Sequence, residues 1–532
     1  MLAIFYPEAV SLPANFRNTK WLTQWPVLVG IVVLGTLVRW YYGLAFQGWL
    51  SAPDQQAWQL TLDYLSRTGD LRYATLIHYP HEGGSFLISL LALLFKPLSG
   101  TLPALSLVAL VVDFFSRTLQ LVAVKRLFGN SVALAFVLWS AIAIPTLLPW
   151  ATVNFGLHAL SAFWPLIFLL SLKVQYWKIP VPVGAGLVTG LALSMSYDNV
   201  ILVPAFLVWL VLQWRLLEAK WKVVVGYGLA LGIAILPHLL LRTLLDPGFE
   251  LQAFQEGGIR GQGWFLWTNH EVWYHRFWKL IYHALPGSSY MPDLFGLGAG
   301  WVRKIWLIPG LIGFFIVSRR FLSKTAGVGA GVTMVLVFLL LYALSPFFTE
   351  SGDSFIYVSY RHLTFVLPLF VVLAIVGWWS WPKWGPRIAV AWIGFGILGT
   401  FITVVKADKP TATFDPAIGW VLAQKFGHEP ETLMQILDEA PESQQPDIVK
   451  GMGWGTSSAI LEATGAPRPE KSDKLLSYIH QYPPQWQPVL QEGVRMAFEP
   501  WITPTLDSNF VPILEKDFPP LEERYVPQLP AD

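Results

Sequence analysis

Cysteine is absent from all 532 positions. That excludes disulfide staples, thiolate metal sites and a cysteine nucleophile. Charge is scarce too: Asp, Glu, Lys and Arg make up 13% of the chain, where soluble domains carry about a quarter. Hydrophobic residues reach 54% and mean hydropathy is +0.50. A soluble core cannot hide that much apolar surface, so lipid is the solvent for much of the chain. The first 25 residues, through Pro7, Pro13, Arg17 and Lys20, lack a signal-peptide pattern. The first apolar run, from Pro26, is therefore expected to stay in place as a span. No P-loop, dinucleotide fingerprint or basic stripe is present, which argues against nucleotides and nucleic acid as partners.

What is abundant is tryptophan, at 27 residues. Indole rings favour the membrane–water boundary, half buried with the N–H wet. Charge is also unevenly placed. Lys406–Asp532 holds 10 basic and 19 acidic residues, a net −9, so the preceding part carries +11. A basic membrane part and an acidic tail point to two environments. The fold expected is all-α and polytopic: a transmembrane domain over 1–405 and a soluble helical C-terminal domain over 406–532.

Apolar runs sit at 26–46, 104–124, 131–149, 157–173, 181–196, 199–214, 223–241, 302–318, 327–345, 362–379 and 387–405. These predict eleven spans. A twelfth run, Ser85–Phe95, is short and reads as a juxtamembrane helix. With that parity, Arg17/Lys20, Lys125-Arg126, Lys173/Lys178, Arg215/Lys220/Lys222, Arg319-Arg320/Lys324 and Lys383/Arg387 share one face. Such clusters mark the cytoplasmic side, and only Arg303-Lys304 runs against it. Two large loops, 47–103 and 243–301, then face outward, and so does the tail. Loops of that size, rich in polar and aromatic residues, suggest a site. The tail reads as short helices at Pro416–Gly427, Glu431–Glu439, Pro446–Met452, Ser457–Thr464, Ser472–Gln481 and Pro488–Phe498, a helical-repeat-like bundle. A Pro-rich stretch, 500–532, follows.

The chemistry-bearing segment runs from Ser51-Ala-Pro-Asp54-Gln55 through Tyr64, Arg67, Gly69-Asp70 and His78-Tyr-Pro80-His81-Glu82. A carboxylate just beyond a span, followed by an amphipathic helix over Gln56–Arg67, suits general-base work on a lipid-linked substrate. Leu60, Tyr64 and Leu65 of that helix are expected to rest on the membrane surface.

The order of these pieces resembles the GT-C superfamily of polyprenyl-phosphate-sugar-dependent membrane glycosyltransferases. The likeness covers residues 25–405. It includes the acid after the first span, the Gly69-Asp70 turn, Arg117 with the Lys125-Arg126-Leu-Phe-Gly129 turn, the Gly-rich run from Gly184, and Tyr360-Arg361-His362 before Leu367-Pro368. The resemblance implies Asp54 as base. Glu82, His78 and His81 are then sugar ligands or hold a divalent metal. Arg361 and His362 take the lipid phosphate, with Arg117 and Arg39 as alternatives if their spans line a cavity. It further implies a polyprenyl-phosphate sugar as donor, membrane lipids as surroundings, and a bacterial inner membrane with the N-terminus cytoplasmic and the C-terminal domain periplasmic. One departure stands out: many members carry an acidic pair, and here Gln55 follows Asp54. A non-catalytic subunit or scaffold, with the acidic tail docking partner proteins, is the competing reading. A transporter finds little support, since repeat symmetry is not evident.

Each residue also has a plain structural explanation. Asp54 can be a solvated loop acid or helix cap after Pro53. His78, His81 and Glu82 can be polar surface, and Arg361 an interfacial anchor. Asp113 and Arg117, four apart, can neutralise each other inside the bilayer. Asp198 reads as a solvent-exposed turn residue. The histidines at 270, 275 and 283 fit an amphipathic segment at the interface. Gly184, Gly186 and Gly190 fit close helix packing.

Overall fold

The computed structural model describes residues 22–45, 53–76, 85–99, 103–143, 161–173, 180–217, 219–245, 270–281, 298–321, 326–344, 363–381, 383–406, 415–427, 429–463 and 468–496. Among them every regular element is helical. The membrane part comprises α1 (Trp25–Ala45), α2 (Pro53–Thr68), α3 (Ser85–Phe95), α4 (Ala104–Phe128), α5 (Asn130–Ile142), α6 (Trp164–Ser171), α7 (Val181–Met195), α8 (Leu202–Gln213) and α9 (Lys220–Leu245). It continues with α10 (His270–Lys279), α11 (Gly298–Phe321), α12 (Ala326–Leu344), α13 (Leu367–Trp379) and α14 (Gly385–Lys406). The tail adds α15 (Asp415–Phe426), α16 (Pro430–Leu437), α17 (Gln445–Ala463), α18 (Arg468–Ile479) and α19 (Gln487–Met496).

A helix falls within each of the eleven predicted runs. Four described helices are long and apolar enough to cross a membrane: Ala104–Phe128, Lys220–Leu241, Gly327–Leu344 and Gly385–Ile402. The reason for the apolar surplus differs along the chain. Every residue of α13 is buried, because other helices surround it. A helix apolar all round belongs at a bundle centre. Lys220–Leu241 is just 11% buried, and Leu229, Ile233, Leu236 and Leu240 point outward, a face only lipid would cover. Its main packed stripe lies on α7. A Cβ at Gly186 or Gly190 would strike the backbone oxygens of Tyr227 or Leu231, so those glycines let the two helices touch, as small residues do between membrane helices. At Gly184 the space is open, so close packing explains two of the three.

Two contacts fix how loop 47–103 lies. The Lys125 ammonium donates to the Thr23 carbonyl at 2.9 Å and sits 4.1 Å from the Trp25 ring, tying the end of α4 to the start of α1. At the other end, Gln59 of α2 accepts the Leu105 N–H at 3.3 Å, capping α4. Helices α1 and α4 therefore run antiparallel, with α2 at the far end of both. Helix α3 stays at that end: Ser89 donates to the Ala74 carbonyl at 2.7 Å, and Lys96, just past α3, pairs with Asp63 at 2.9 Å. Its 11 residues span roughly 16 Å, about half the hydrocarbon thickness.

In the tail, α15, α17 and α19 lie side by side, with α16 and α18 as flanking helices. The expected break between Pro446–Met452 and Ser457–Thr464 is absent, and α17 runs through both. Glycine there reads as a helix breaker, yet Gly451 and Gly453 are needed for contact. A Cβ on Gly451 would strike the Pro416 carbonyl of α15, and one on Gly453 the Leu490 carbonyl of α19. Close packing offsets the propensity cost of about 1 kcal/mol per glycine.

Candidate functional site

Helix α2 begins with Pro53, whose fixed φ and missing N–H suit a first helical position, and Asp54 follows in the first turn. It stops at Gly69, which has φ +71 and closes on the Leu65 carbonyl at 2.8 Å. Asp70 then caps the short turn Leu71–Leu76, accepting the Arg72 N–H at 3.1 Å and pairing with its guanidinium. That hydrogen-bonded guanidinium holds the Asp70 carboxyl below its usual range. The Gly69-Asp70 turn thus has a structural job: it ends one helix and starts the next.

The expectation that Leu60, Tyr64 and Leu65 rest on the membrane surface is corrected. Tyr64 and Leu65 are buried in protein, Leu60 is half-buried, and α15 packs along α2. Amphipathic spacing reveals an apolar face but not whether lipid or another helix covers it. Toward α4, Gln59 Nε2 donates to Asp63 at 3.0 Å, and Asp63 meets Lys96. Toward the tail, Tyr64 donates to Gln435 Oε1 at 2.9 Å and Arg67 to Glu439 Oε1 at 2.6 Å. Beyond α2, the Tyr73 hydroxyl lies 3.3 Å from Glu429 Oε2 and 3.2 Å from Thr432 Oγ1. Burial raises the Tyr73 phenol above its usual value, so it stays a donor at neutral pH.

A second cluster lies deep in the bundle. Asp113 and Arg117, one turn apart on α4, form the predicted pair, and Arg39 of α1 joins it with Nε 3.7 Å from Asp113. Both guanidiniums also reach the end of α5. Arg39 donates to the Ala141 carbonyl at 2.6 Å and the Ser140 carbonyl at 3.0 Å, and Arg117 donates to Ser140 as well. The last carbonyls of a helix have no partners of their own and carry partial negative charge, so two cations complete that end. Sequence placed Arg39 and Arg117 as alternative phosphate ligands. The structure brings them together, 1% and 5% exposed, spent on Asp113 and α5.

Of the other candidates, Asp54 is described through its backbone in α2 and not its side chain. His78, His81, Glu82, Arg361 and His362 lie outside the described residues. Among the described residues no three of His, Asp and Glu gather as a metal site. Asp198 is half-buried in the turn Tyr197–Ile201, with its N–H on Ser196, rather than freely exposed. In loop 243–301, α10 presents exposed Tyr274 and Trp278 and packs on α12, as an interfacial segment does. Outside the reach of sequence reasoning were Glu429, Gln435 and Glu439, whose partners lie hundreds of positions away.

No family model and no curated protein matches the chain. Its fold is similar to solved structures of two membrane proteins. The crystal structure of ArnT from Cupriavidus metallidurans bound to undecaprenyl phosphate matches at TM-score 0.45 and 13% identity, over 88% of this chain and 76% of that one. The Archaeoglobus fulgidus oligosaccharyltransferase with Zn and sulfate matches at 0.42 and 14%, over 78% of this chain and 57% of that one. The same archaeal protein, AglB, with an inhibitory peptide and dolichol-phosphate gives 0.39 and 13%, over 87% and 60%. The superpositions are loose, and the functional reading is carried by this chain's own residues.

Proposed function

We propose that this chain is a membrane glycosyltransferase that moves a sugar from a polyprenyl-phosphate donor to a lipid, glycan or protein acceptor. The observation that supports it most is the seating of α2. This helix, with Asp54 in its first turn, is held over the start of α4 by Gln59, beside the end of α3 by Asp63, and under the tail by Tyr64 and Arg67. A carboxylate on a helix fixed at the mouth of an apolar bundle can stay at a set distance from a substrate whose tail lies in lipid. In this reading Asp54 takes the proton of the acceptor hydroxyl as its oxygen attacks the anomeric carbon. The bond from that carbon to the phosphate oxygen breaks, and polyprenyl phosphate leaves with the electron pair. Arg361 and His362 neutralise the phosphate, a role that suits cations at an interface. Glu82, His78 and His81 hold the sugar. Arg117 acts indirectly, by holding the end of α5.

The same reading sets eleven spans, a transmembrane domain over 1–405 and a periplasmic domain over 406–532 in a bacterial inner membrane. Cation–tryptophan pairs at the opposite end from α2 support that orientation: Lys125 with Trp25, Lys220 with Trp214, and Arg387 with Trp384. The competing reading, a non-catalytic subunit, draws on Gln55. The two separate on Asp54→Asn, with transfer from a lipid-linked sugar as the readout. As a general base, Asp54 should account for a loss of about 10²–10⁴-fold. Wild-type transfer in Asp54→Asn removes it from that role, and absence of transfer by the unaltered protein favours the subunit.

A further inference from the structure

Residues 429–439 reach α2 and the turn after it through three side chains. Arg67 bonds Glu439 at 2.6 Å and the Gln435 carbonyl at 3.3 Å. Tyr64 bonds Gln435 Oε1, and Tyr73 bonds Glu429 and Thr432. The rings of Tyr64 and Tyr73 meet edge to face at 5.2 Å, and Tyr73 leans on Phe426, which is fully buried. On the bundle side Gln59 and Asp63 hold a different angle of the same helix. Anchors at two angles fix a helix in roll as well as in height, because its side chains project all round the axis.

We infer that the segment from Glu429 to Glu439 is a positioning clamp for α2, which sets the roll of the helix and with it the place of Asp54. Part of the acid that composition assigns to partner docking is thereby used within the chain. The clamp residues touch no substrate; they act through α2. The inference rests on the reading of Asp54 as base, but its first test does not.

Ala57 is fully buried on α2 and the chain has no cysteine, so Ala57→Cys in the full-length protein supplies a single thiol. Its labelling by a membrane-impermeant maleimide reports the seating of α2. Arg67→Glu, which faces Glu439 with like charge, accelerates labelling about tenfold, as does Glu439→Arg, and the swap of both returns the rate to within about threefold. Without the reporter thiol, the same single variants lower kcat about tenfold while KM for the lipid-linked sugar moves less than about twofold, and the swap restores kcat. Should Arg67→Glu fail to accumulate in membranes, Tyr73→Phe removes the hydroxyl bonded to Glu429 and Thr432 and shifts both readouts in the same direction. Unchanged labelling in the single variants, or no recovery in the swap, overturns the clamp. If labelling responds as stated and Asp54→Asn keeps full activity, the base assignment falls and the clamp of α2 stands.

Discussion

The buried cluster of Arg39, Asp113 and Arg117 and the bridge between Arg67 and Glu439 use the same groups in opposite surroundings. In the first, the guanidiniums are 1% and 5% exposed and the carboxylate 17%. In the second, Arg67 is 55% exposed and Glu439 20%. Water screens the second pair and competes for it, so it adds little to the stability of the fold. The first is almost wholly buried, so removing one partner leaves a charge stranded. The lesson is a division of labour. On this contrast the deep cluster is expected to matter to the stability of the bundle, and the surface bridge to the orientation of α2.

The strongest way to break this contrast is Asp113→Ala. It strands two guanidiniums beside α5 and is expected to cost about 3–5 kcal/mol, seen as loss of the monodisperse peak in detergent or a collapse of Tm. Replacing Arg39, Asp113 and Arg117 together by Leu should not rescue it fully, because the Ser140 and Ala141 carbonyls lose their donors. A smaller effect tests packing in place of charge. Gly190→Val drives a side chain into the α9 backbone and should cost about 1–3 kcal/mol by thermal unfolding. Smaller again is Arg67→Ala, which should leave Tm unchanged; a clear fall in Tm would erase the contrast. A small, pH-dependent effect involves Asp70. Its carboxyl is held below the usual range by Arg72, so the pair adds stability above the unfolded aspartate value and loses it as pH falls through the folded one. Asp70→Asn should therefore lie slightly below the unaltered protein in Tm at neutral pH, with the gap closing on acidification.

Sequence made some of this legible and not the rest, for a physical reason. Asp113 and Arg117 were readable because four-residue spacing puts them on one helix face, and Gly186 and Gly190 because small residues at that spacing admit a neighbour. The helix expected over Gln56–Arg67 from its amphipathic spacing is found, starting three residues earlier at Pro53 and ending at Thr68. Arg39 entering the pair from another helix, and the α5 carbonyls it serves, depend on tertiary approach that no local period encodes. The burial of Tyr64 was missed for the same reason. Its apolar stripe suits a headgroup layer or α15 equally, and the deciding partner, Gln435, is 371 positions away.

That separation has a consequence for biosynthesis. When loop 47–103 emerges, the faces of α2 and of the turn after it that will meet residues 426–439 have nothing to cover them. They can be covered only if the tail arrives on the same side of the membrane, which requires an even number of crossings between residues 76 and 415. A single helix that fails to insert reverses the side on which the tail emerges and leaves Tyr64, Tyr73 and Phe426 bare. Closure of this joint therefore depends on the parity of membrane insertion.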